Sequence, residues 1–306
     1  MKPDLTVILL THNEEKHIER CLRSLWPVAT AIFVIDSFST DRTCELAREL
    51  GAQVFQNKWV NYSTQFNWAL QNCPIQTAWT MRMDCDEYLL PELIAEIQRK
   101  IPAADPGTGG FIIKRRVYFM DRWIRHGGFY PHRLLRIWRS GTGVLEDRWM
   151  DEHVVLSGGA LVSLDYDMVD HNLNDLTWWI NKHNHYATRE MLDLQAIHAH
   201  TTSAQNVEAS LTGEQYSKKR WLKEKVYSRI PLFAGPFFYF LYRYFLLLGF
   251  LDGTPGLIWH FLQGFWYRFL VDAKLYEQRL AAAAPAPPPA AVPTPAALVP
   301  PTSTLA

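Results

Sequence analysis

The chain has no surplus of charge of either sign. Its 31 lysine and arginine residues are matched by 31 aspartate and glutamate residues, so the formal net charge is zero. Proteins that bind nucleic acid in general usually carry a basic excess. The composition therefore argues against nucleic acid as a partner.

Cysteine is scarce, with four residues among 306, and these form no CxxC pair and no short spacing. This usage argues against a disulfide framework or a zinc site and is typical of reduced thiols in a cytosolic setting. The first apolar run is too short for a signal peptide and leads directly into polar residues. Together these features favour a cytoplasmic location.

A glycine-rich turn is missing at the place where a dinucleotide-binding fold would carry one. The first apolar run, LTVILLT at 5–11, is followed by HNEEK at 12–16, which contains no glycine. An NAD-binding turn needs glycines there so that the backbone can approach the pyrophosphate. The sequence therefore argues against an NAD-binding fold.

Apolar, β-rich runs alternate with helical periods up to residue 84. The pattern predicts strands at 5–11, 31–37, 52–56 and 78–84 and helices at 13–25, 39–51 and about 61–72. We expect Asn13 to cap the first helix, Ser39 or Thr40 to cap the second, and Gly51 to end it. Such alternation predicts a mainly parallel sheet with helices on both faces, an α/β fold.

Polar residues follow three of these strands, and ligands bind parallel sheets at the carboxyl ends of the strands. Thr11 ends the first strand, Asp36 follows the second, and Asp84 and Asp86 follow the fourth. The carboxylate of Asp36 is suited to bind a ribose or the edge of a base. The alternative is that Asp36 only forms the turn after the second strand. Asp84, Asp86 and Glu87 repel one another unless a positive group lies among them.

Several segments resemble family 2 glycosyltransferases with the GT-A fold: residues 6–25, VIDSFSTDRT at 34–43 and MDCDE at 83–87. Four later segments resemble the branch that includes lipopolysaccharide-core glycosyltransferases, namely 118–141, 151–153, 170–190 and 248–257. The resemblance extends over about residues 3–280. Within it, His126-Gly127-Gly128 looks like a tight loop beside the acceptor site.

The resemblance implies a nucleotide-sugar donor and a DxD motif, Asp84-Cys85-Asp86, that holds a divalent metal, Mg²⁺ or Mn²⁺. The ion would neutralise the departing diphosphate and the neighbouring carboxylates. Asp36 would contact the nucleotide, with Thr11 and Glu14 near the same end. His171 is a candidate third metal ligand, because such a ligand is sometimes a late histidine.

An inverting transferase also needs a base that takes the proton from the acceptor hydroxyl. Alignment with the related branch favours Glu152, although Asp151 stands where that branch has histidine; Glu146 and Asp147 are weaker rivals. Two arginines, Arg133 and Arg136, are three residues apart and would share a face on a helical turn. Either one could grip the diphosphate, or form a surface salt bridge instead.

The C-terminal third changes character twice. Residues 217–229 carry six basic residues and one acid, and residues 230–271 are dense in Phe, Leu, Tyr and Trp. The 15 residues 237–251 span about 22 Å of helix, less than the roughly 30 Å of a bilayer core. We expect an interfacial helical hairpin on anionic lipid; a two-span hairpin or a buried dimer interface are the alternatives.

These features predict five parts: a nucleotide-sugar-binding half, an acceptor-side half, a helical extension, interfacial membrane helices and a disordered Ala/Pro-rich tail, at 1–110, 111–172, 173–229, 230–280 and 281–306. The predicted function is metal-dependent, inverting transfer of a sugar to a lipid-linked or lipopolysaccharide-type acceptor. The enzyme would be peripheral on the inner face of the cell membrane. The alternatives are a polyprenyl-phosphate sugar synthase and a catalytically inactive scaffold with the same fold.

Overall fold

The computed structural model describes residues 2–146, 153–198 and 231–283. The first part alternates strands and helices, which confirms the predicted order. Its elements are β1 (Leu5–Thr11), α1 (Ile18–Leu25), β2 (Ala31–Asp36), α2 (Thr43–Glu49), β3 (Gln53–Gln56), α3 (Tyr62–Asn72) and β4 (Trp79–Asp84). β1 pairs in parallel with β2 and β4, and β2 pairs in parallel with β3. The parallel half of the sheet is therefore continuous through β3, β2, β1 and β4.

The sheet then continues with strands from later in the chain. The further elements are β5 (Glu87–Leu89), α4 (Pro91–Lys100), β6 (Thr108–Phe119), β7 (Arg122–Trp123), β8 (His132–Arg139), β9 (Gly143–Leu145), β10 (Val154–Leu156), β11 (Ala160–His171) and α5 (Leu176–His198). The strand order is β3-β2-β1-β4-β8-β6-β11-β5, with β7 beside β6. β8 runs antiparallel to β4 and β6, and β9 pairs with β10 in a separate ribbon.

Apolar cores lie on both faces of the sheet, because the buried strands are apolar on both sides. One core packs α1 and α4 against the sheet through Leu22, Leu25 and Ile97. The other packs α3 against the opposite face through Phe66 and Trp138.

The first two helices begin later than the sequence predicted. Asn13 does not cap α1; it lies in the left-handed region with φ 56°, and its Oδ1 accepts a hydrogen bond from the Thr40 backbone N–H over 2.8 Å. Ser39 does not cap α2 either, because its hydroxyl accepts from the Asn13 backbone N–H over 2.9 Å. The loops after β1 and β2 therefore hold each other, and Gly51, with φ 85°, follows α2 as predicted.

The C-terminal segment forms two bent helical arms. The first is α6 (Ala234–Leu241), which continues as a π-helical stretch to Leu246. After a 3₁₀ turn at Gly249–Asp252, the second arm comprises α7 (Gly253–Trp259), a π-helical stretch and α8 (Tyr267–Ala283). Among the described helices, none alone has the length and apolarity to cross a bilayer, whereas Ala234–Leu246 with Gly249–Ala282 meets both criteria as a pair bent by 70°.

This C-terminal segment packs on the sheet and on α5 through aromatic side chains. Trp259 contacts Phe119 of β6 and Trp179 of α5, with ring centroids 5.2 and 6.2 Å apart. Gly127, with φ 67°, donates its backbone N–H to Leu247 O over 2.8 Å. A Cβ at Gly127 would lie 2.0 Å from the ring of His260, so only glycine permits this approach.

Candidate active site

Three of the polar residues singled out in the sequence lie at one edge of the sheet. In the parallel ladders, Thr11 of β1 is the partner of Asp36 of β2, and Leu10 is the partner of Asp84 of β4. The hydroxyl of Thr11 donates to Asp36 Oδ1 over 3.1 Å. Thr11, Asp36 and Asp84 therefore end three neighbouring strands.

Asp36 is completely buried and organises the loop that follows β2. Its carboxylate accepts hydrogen bonds from the Ser39 backbone N–H over 2.9 Å and from Gln56 Nε2 over 3.3 Å. Burial raises the pKa of Asp36, but the hydrogen bonds from Ser39 outweigh it and the pKa lies below its ordinary value. Asp36 thus shapes the loop as a carboxylate, and its direct contact with a nucleotide stays a prediction.

Glu14 is tied to the other end of the site through a histidine. Its Oε2 lies 2.6 Å from His17 Nδ1, and His17 Nε2 accepts the Leu173 backbone N–H over 2.8 Å. Because Nε2 accepts, the proton of the neutral ring lies on Nδ1 and is donated to Glu14. This chain of contacts fastens the loop after β1 to the segment between β11 and α5.

Arginine supplies the positive charge among the close carboxylates at the end of β4. Arg136 Nη2 lies 3.3 Å from Asp84 Oδ2 and 2.5 Å from Glu87 Oε1. Arg115 Nη1 lies 3.3 Å from Glu87 and also 3.3 Å from Asp170. Two arginines and three carboxylates therefore form one continuous charge cluster under the DxD turn.

Asp84 and Glu87 share Arg136 as a partner, but their surroundings shift their pKa values in opposite directions. Burial raises the pKa of Asp84, but Arg136 and Arg82 outweigh it, and the Tyr62 hydroxyl donates to Asp84 Oδ1 over 2.5 Å. The pKa of Asp84 therefore lies well below its ordinary value. At Glu87 burial prevails over the lowering effect of Arg136, and the pKa rises to about 7.

The expectation that Arg133 and Arg136 share the face of a helical turn is wrong. Both lie in β8, where residues three apart point to opposite faces of the sheet. Arg136 is buried against Asp84 and Glu87, whereas Arg133 is exposed. The geometry therefore commits Arg136 to the carboxylates, and a grip on diphosphate by either arginine stays a prediction.

Asp86 lies in the turn between β4 and β5, where its backbone is tightly held. Its carbonyl oxygen accepts from the His171 backbone N–H over 3.0 Å and from Arg20 Nη2 over 3.3 Å. Asn172 Nδ2 donates to Asp86 Oδ2 over 2.9 Å. The other carboxylate oxygen, Oδ1, accepts no hydrogen bond from the part of the chain that the structure describes.

His171 reaches the DxD turn, but its ring nitrogens face other groups. Nε2 lies 3.0 Å from Asp121 Oδ1, and Nδ1 lies 3.4 Å from Arg20 Nη1. Burial and the charge of Arg20 lower the pKa of His171 below its ordinary value. Its role as a metal ligand stays a prediction.

The residues at the turn fit a metal ion that is bound mainly through substrate phosphates. Within 2–146, 153–198 and 231–283, no three His, Cys, Asp or Glu side chains are placed to hold a metal by themselves. A hard divalent cation, however, commonly uses one or two carboxylates plus phosphate oxygens and water. Asp86 Oδ1, which accepts no hydrogen bond from the described residues, can provide one such carboxylate ligand, whereas both oxygens of Asp84 are already engaged by Tyr62 and Arg136.

The two candidate bases, Asp151 and Glu152, lie outside the described residues, as does Asp147. Glu146 is described, and it is buried with 2% exposure. Its Oε2 accepts the His153 backbone N–H over 3.2 Å. Glu146 therefore connects the end of β9 to His153, which precedes β10.

Two cations of the site were missed by the sequence analysis. Arg20 of α1 donates to the carbonyl oxygens of Asp86 and His171, yet nothing in the sequence sets it apart from the exposed Arg23 one turn later. Lys182 of α5 lies 4.6 Å from the centroid of the Trp178 ring. Burial lowers its pKa, but nearby acidic groups, Asp86 among them, raise it above the ordinary value.

Comparison with known proteins identifies the family and the fold. The sequence matches the family described as Glycosyl transferase family 2 over residues 6–160, about half of the chain. The structure resembles that of a mannosyltransferase from Pyrobaculum calidifontis in complex with GDP-Man and Mn²⁺, with a TM-score of 0.51 and 15% identity over 91% of this chain and 88% of that one. This likeness confirms the predicted GT-A-type fold.

Curated relatives share a shorter stretch. An uncharacterized glycosyltransferase of Rickettsia bellii is 36% identical over 94 residues, which are 31% of this chain and 31% of the relative. Another from Rickettsia typhi is 34% identical over 94 residues, 31% of this chain and 32% of the relative. The chain thus matches about a third of the length of these relatives.

Proposed function

The chain belongs to glycosyl transferase family 2, and from this premise we propose that it moves a sugar, with inversion, from a nucleotide-sugar donor to a lipid-linked or lipopolysaccharide-type acceptor. One observation carries the proposal. The DxD turn adjoins the interlocked loops after β1 and β2, at the carboxyl ends of neighbouring parallel strands. This is the edge at which α/β sheets bind ligands.

The donor would lie over the loops after β1 and β2, with its diphosphate towards the DxD turn. Asp86, with Asp84 beside it, would hold a divalent cation, which when bound neutralises charge on the leaving diphosphate. The ammonium of Lys182 lies over the Trp178 and Tyr186 rings and has no ion pair among the described residues, and we assign it to a phosphate oxygen of the donor. Arg20 holds the backbone of the turn in place.

Inverting transfer requires a base on the acceptor side. We assign this role to Glu152, with Asp151 as the alternative, because the resemblance aligns Glu152 with the glutamate of the related branch. The base would remove the proton of the acceptor hydroxyl as that oxygen attacks the anomeric carbon.

The exposed aromatic surface of the C-terminal segment supports a membrane-bound acceptor and a peripheral position on the cytoplasmic face of a cell membrane. We call this surface the apolar ridge. Its large side chains, each at least 44% exposed, are Phe237, Phe238, Phe245, Leu246, Phe250 and Leu251. Patches of this kind mark interaction sites on soluble surfaces, and the basic stretch at 217–229 complements anionic lipid.

A screen of nucleotide sugars tests the proposal. Purified full-length protein is heated with each of a panel of nucleotide sugars in the presence of Mn²⁺ or Mg²⁺. A donor that binds the folded protein raises the unfolding midpoint by mass action, and the proposal expects at least one such donor. If no nucleotide sugar shifts the midpoint with either metal, the proposal fails.

The two alternatives differ from the proposal in what they turn over. A polyprenyl-phosphate sugar synthase would transfer the sugar to a prenyl phosphate alone, whereas the proposed enzyme needs a sugar hydroxyl on its acceptor. An inactive scaffold would bind the donor without hydrolysing or transferring it. Product analysis with the donor identified in the screen separates the three.

A further inference from the structure

A cleft of about 360 Å³ lies between the end of β6 and the C-terminal segment. One wall is the hairpin of β6 and β7, and the opposite wall is Asp252 in the 3₁₀ turn. We infer that this cleft binds the phosphate-bearing head group of a lipid acceptor. The inference rests on the proposed function and names the acceptor chemistry of the same site.

The charges in the cleft leave two arginines for a ligand. Asp252 is buried and occupied by His126, whose Nδ1 lies 2.7 Å from Oδ1 and whose backbone N–H donates to Oδ2 over 2.9 Å. Asp121 pairs with His171 over 3.0 Å. Arg122 and Arg125 are exposed, and neither forms an ion pair with a carboxylate of the described residues.

Trp123 forms an aromatic wall beside these arginines. The guanidinium of Arg125 lies 5.4 Å from the centroid of the Trp123 ring, and that of Arg116 lies 4.5 Å from it. The indole Nε1 is buried and has no acceptor in the described part of the chain. Arg122 and Arg125 therefore supply positive charge beside an aromatic wall, a combination that suits a phosphate.

The hairpin that carries Arg122 is held in a strained form. Met120 and Asp121, which connect β6 to β7, both have positive φ, 49° and 58°. Two consecutive residues of this kind make the tight turn of a two-residue hairpin, at a cost for a side chain such as Met120. The turn aims Asp121 at His171 while it places Arg122 at the cleft.

The position of the cleft favours a lipid over a free anion. On one side, Asp121 contacts His171, whose backbone N–H donates to Asp86 O of the DxD turn over 3.0 Å. On the other side, Asp252 directly follows Phe250 and Leu251 of the apolar ridge. A phosphate in the cleft would thus lie between the donor edge and the surface on which a hydrocarbon chain can rest.

Nanodiscs of neutral phosphatidylcholine provide the test. A neutral lipid surface attracts the basic stretch at 217–229 only weakly, so general electrostatic binding contributes little. Binding of full-length protein is measured on discs that carry a prenyl phosphate and on discs that carry the matching prenol. We expect the phosphate to strengthen binding about tenfold or more. No gain over the prenol in the wild type would overturn the inference.

The variants are Arg122→Gln/Arg125→Gln and, as a matched control of equal charge change, Arg23→Gln/Arg48→Gln on α1 and α2. The first should lose the phosphate gain and keep prenol binding, and the control should keep the gain. A gain that persists in the first variant, or that the control loses equally, contradicts the cleft assignment. Abolition of the gain by inorganic phosphate at the concentration of the lipid phosphate would show a free-anion site and contradict the lipid assignment.

The donor screen keeps this inference separate from the proposed function. The Arg122→Gln/Arg125→Gln variant should show the same midpoint shift with nucleotide sugar as the wild type. Wild-type protein that binds a donor but gains nothing from prenyl phosphate refutes the inference alone. Wild-type protein that gains from prenyl phosphate but binds no nucleotide sugar refutes the proposed function alone.

Discussion

Arg136 Nη2 donates to Asp84 Oδ2 over 3.3 Å, which ties the last residue of β4 to the middle of β8. The same nitrogen lies 2.5 Å from Glu87. The position of the DxD turn therefore depends on an arginine from the later half of the sheet.

Replacement of this arginine should damage both stability and donor binding. Arg136→Gln leaves the buried Glu87 and Asp84 without their central partner, and removal of one member of a buried ion pair costs about 3 kcal/mol of the free energy of unfolding. Arg133→Gln, on the opposite face of the same strand, should cost much less. Denaturant unfolding of both variants measures the difference, and equal losses would contradict the assignment.

The parallel half of the sheet was predictable from the sequence because its strands are buried on both faces and read as continuous apolar runs. The strand-end positions of Thr11, Asp36 and Asp84 followed from that order. The starts of α1 and α2 did not, because Asn13 and Ser39 bond to each other's loops and not to the helix ends. Contacts between loops 26 residues apart leave no local signal.

The charge cluster could not be predicted from the sequence either, because its members are distant from one another along the chain. The spacing of Arg133 and Arg136 predicts a shared face on a helical turn, because a spacing of three residues does not reveal the strand in which both lie. Arg20 and Lys182 come from α1 and α5, which meet the DxD turn only in the folded chain. Site residues that come from helices distant in sequence can be identified only from the tertiary structure.

The assignment of the base predicts different effects for two neighbouring acids. Glu152→Gln should lower the transfer rate by roughly 10²–10⁴-fold, because the variant cannot take up the acceptor proton. Donor affinity should stay nearly unchanged, since the base acts on the acceptor. Rate measurements on Glu152→Gln and Asp151→Asn decide between the two, and a large loss in Asp151→Asn alone would contradict the choice.

His183 predicts a loss of stability in acid. Its ring stacks on Trp179 with centroids 3.5 Å apart, its Nδ1 donates to Trp179 O over 2.8 Å, and burial lowers its pKa to about 4. In the unfolded chain the pKa is about 6.5. The unfolded state therefore binds more protons between these values, and the free energy of unfolding falls as the pH drops from about 6.5 towards 4.

His183→Phe keeps an aromatic ring but cannot titrate, so it provides the comparison. Between pH 7 and pH 5 the wild type should lose about 1–2 kcal/mol more of its free energy of unfolding than the variant. Denaturant titrations at both pH values give this difference. An identical pH dependence in the two proteins would show that His183 is not buried in its neutral form.

The apolar ridge predicts that a single surface change weakens membrane binding. Leu246 is 74% exposed, so Leu246→Glu should leave the fold intact. It should cost about 2 kcal/mol or more, roughly 30-fold, in binding to anionic vesicles, because the side chain no longer inserts and its charge is repelled. Sedimentation with vesicles measures the loss.

Val60→Glu is the matched control, since Val60 is 56% exposed and lies in the loop before α3, far along the chain from the ridge. Truncation after residue 229 is a poorer test, because it would strip Phe119 and Trp179 of their aromatic partners on the C-terminal segment. Full-length protein that stays a soluble dimer and ignores vesicles would contradict the membrane proposal.

The most direct test of the account is the release of nucleoside diphosphate from the donor found in the screen, measured for wild-type protein and Asp86→Asn. The account predicts turnover by the wild type with Mn²⁺ or Mg²⁺ and loss of that turnover in EDTA. Asp86→Asn should unfold at the wild-type midpoint and release little product, because the amide keeps an acceptor for Asn172 but removes the ionised ligand. Undiminished release by Asp86→Asn, or by the wild type in EDTA, would contradict a metal-assisted transferase at this turn.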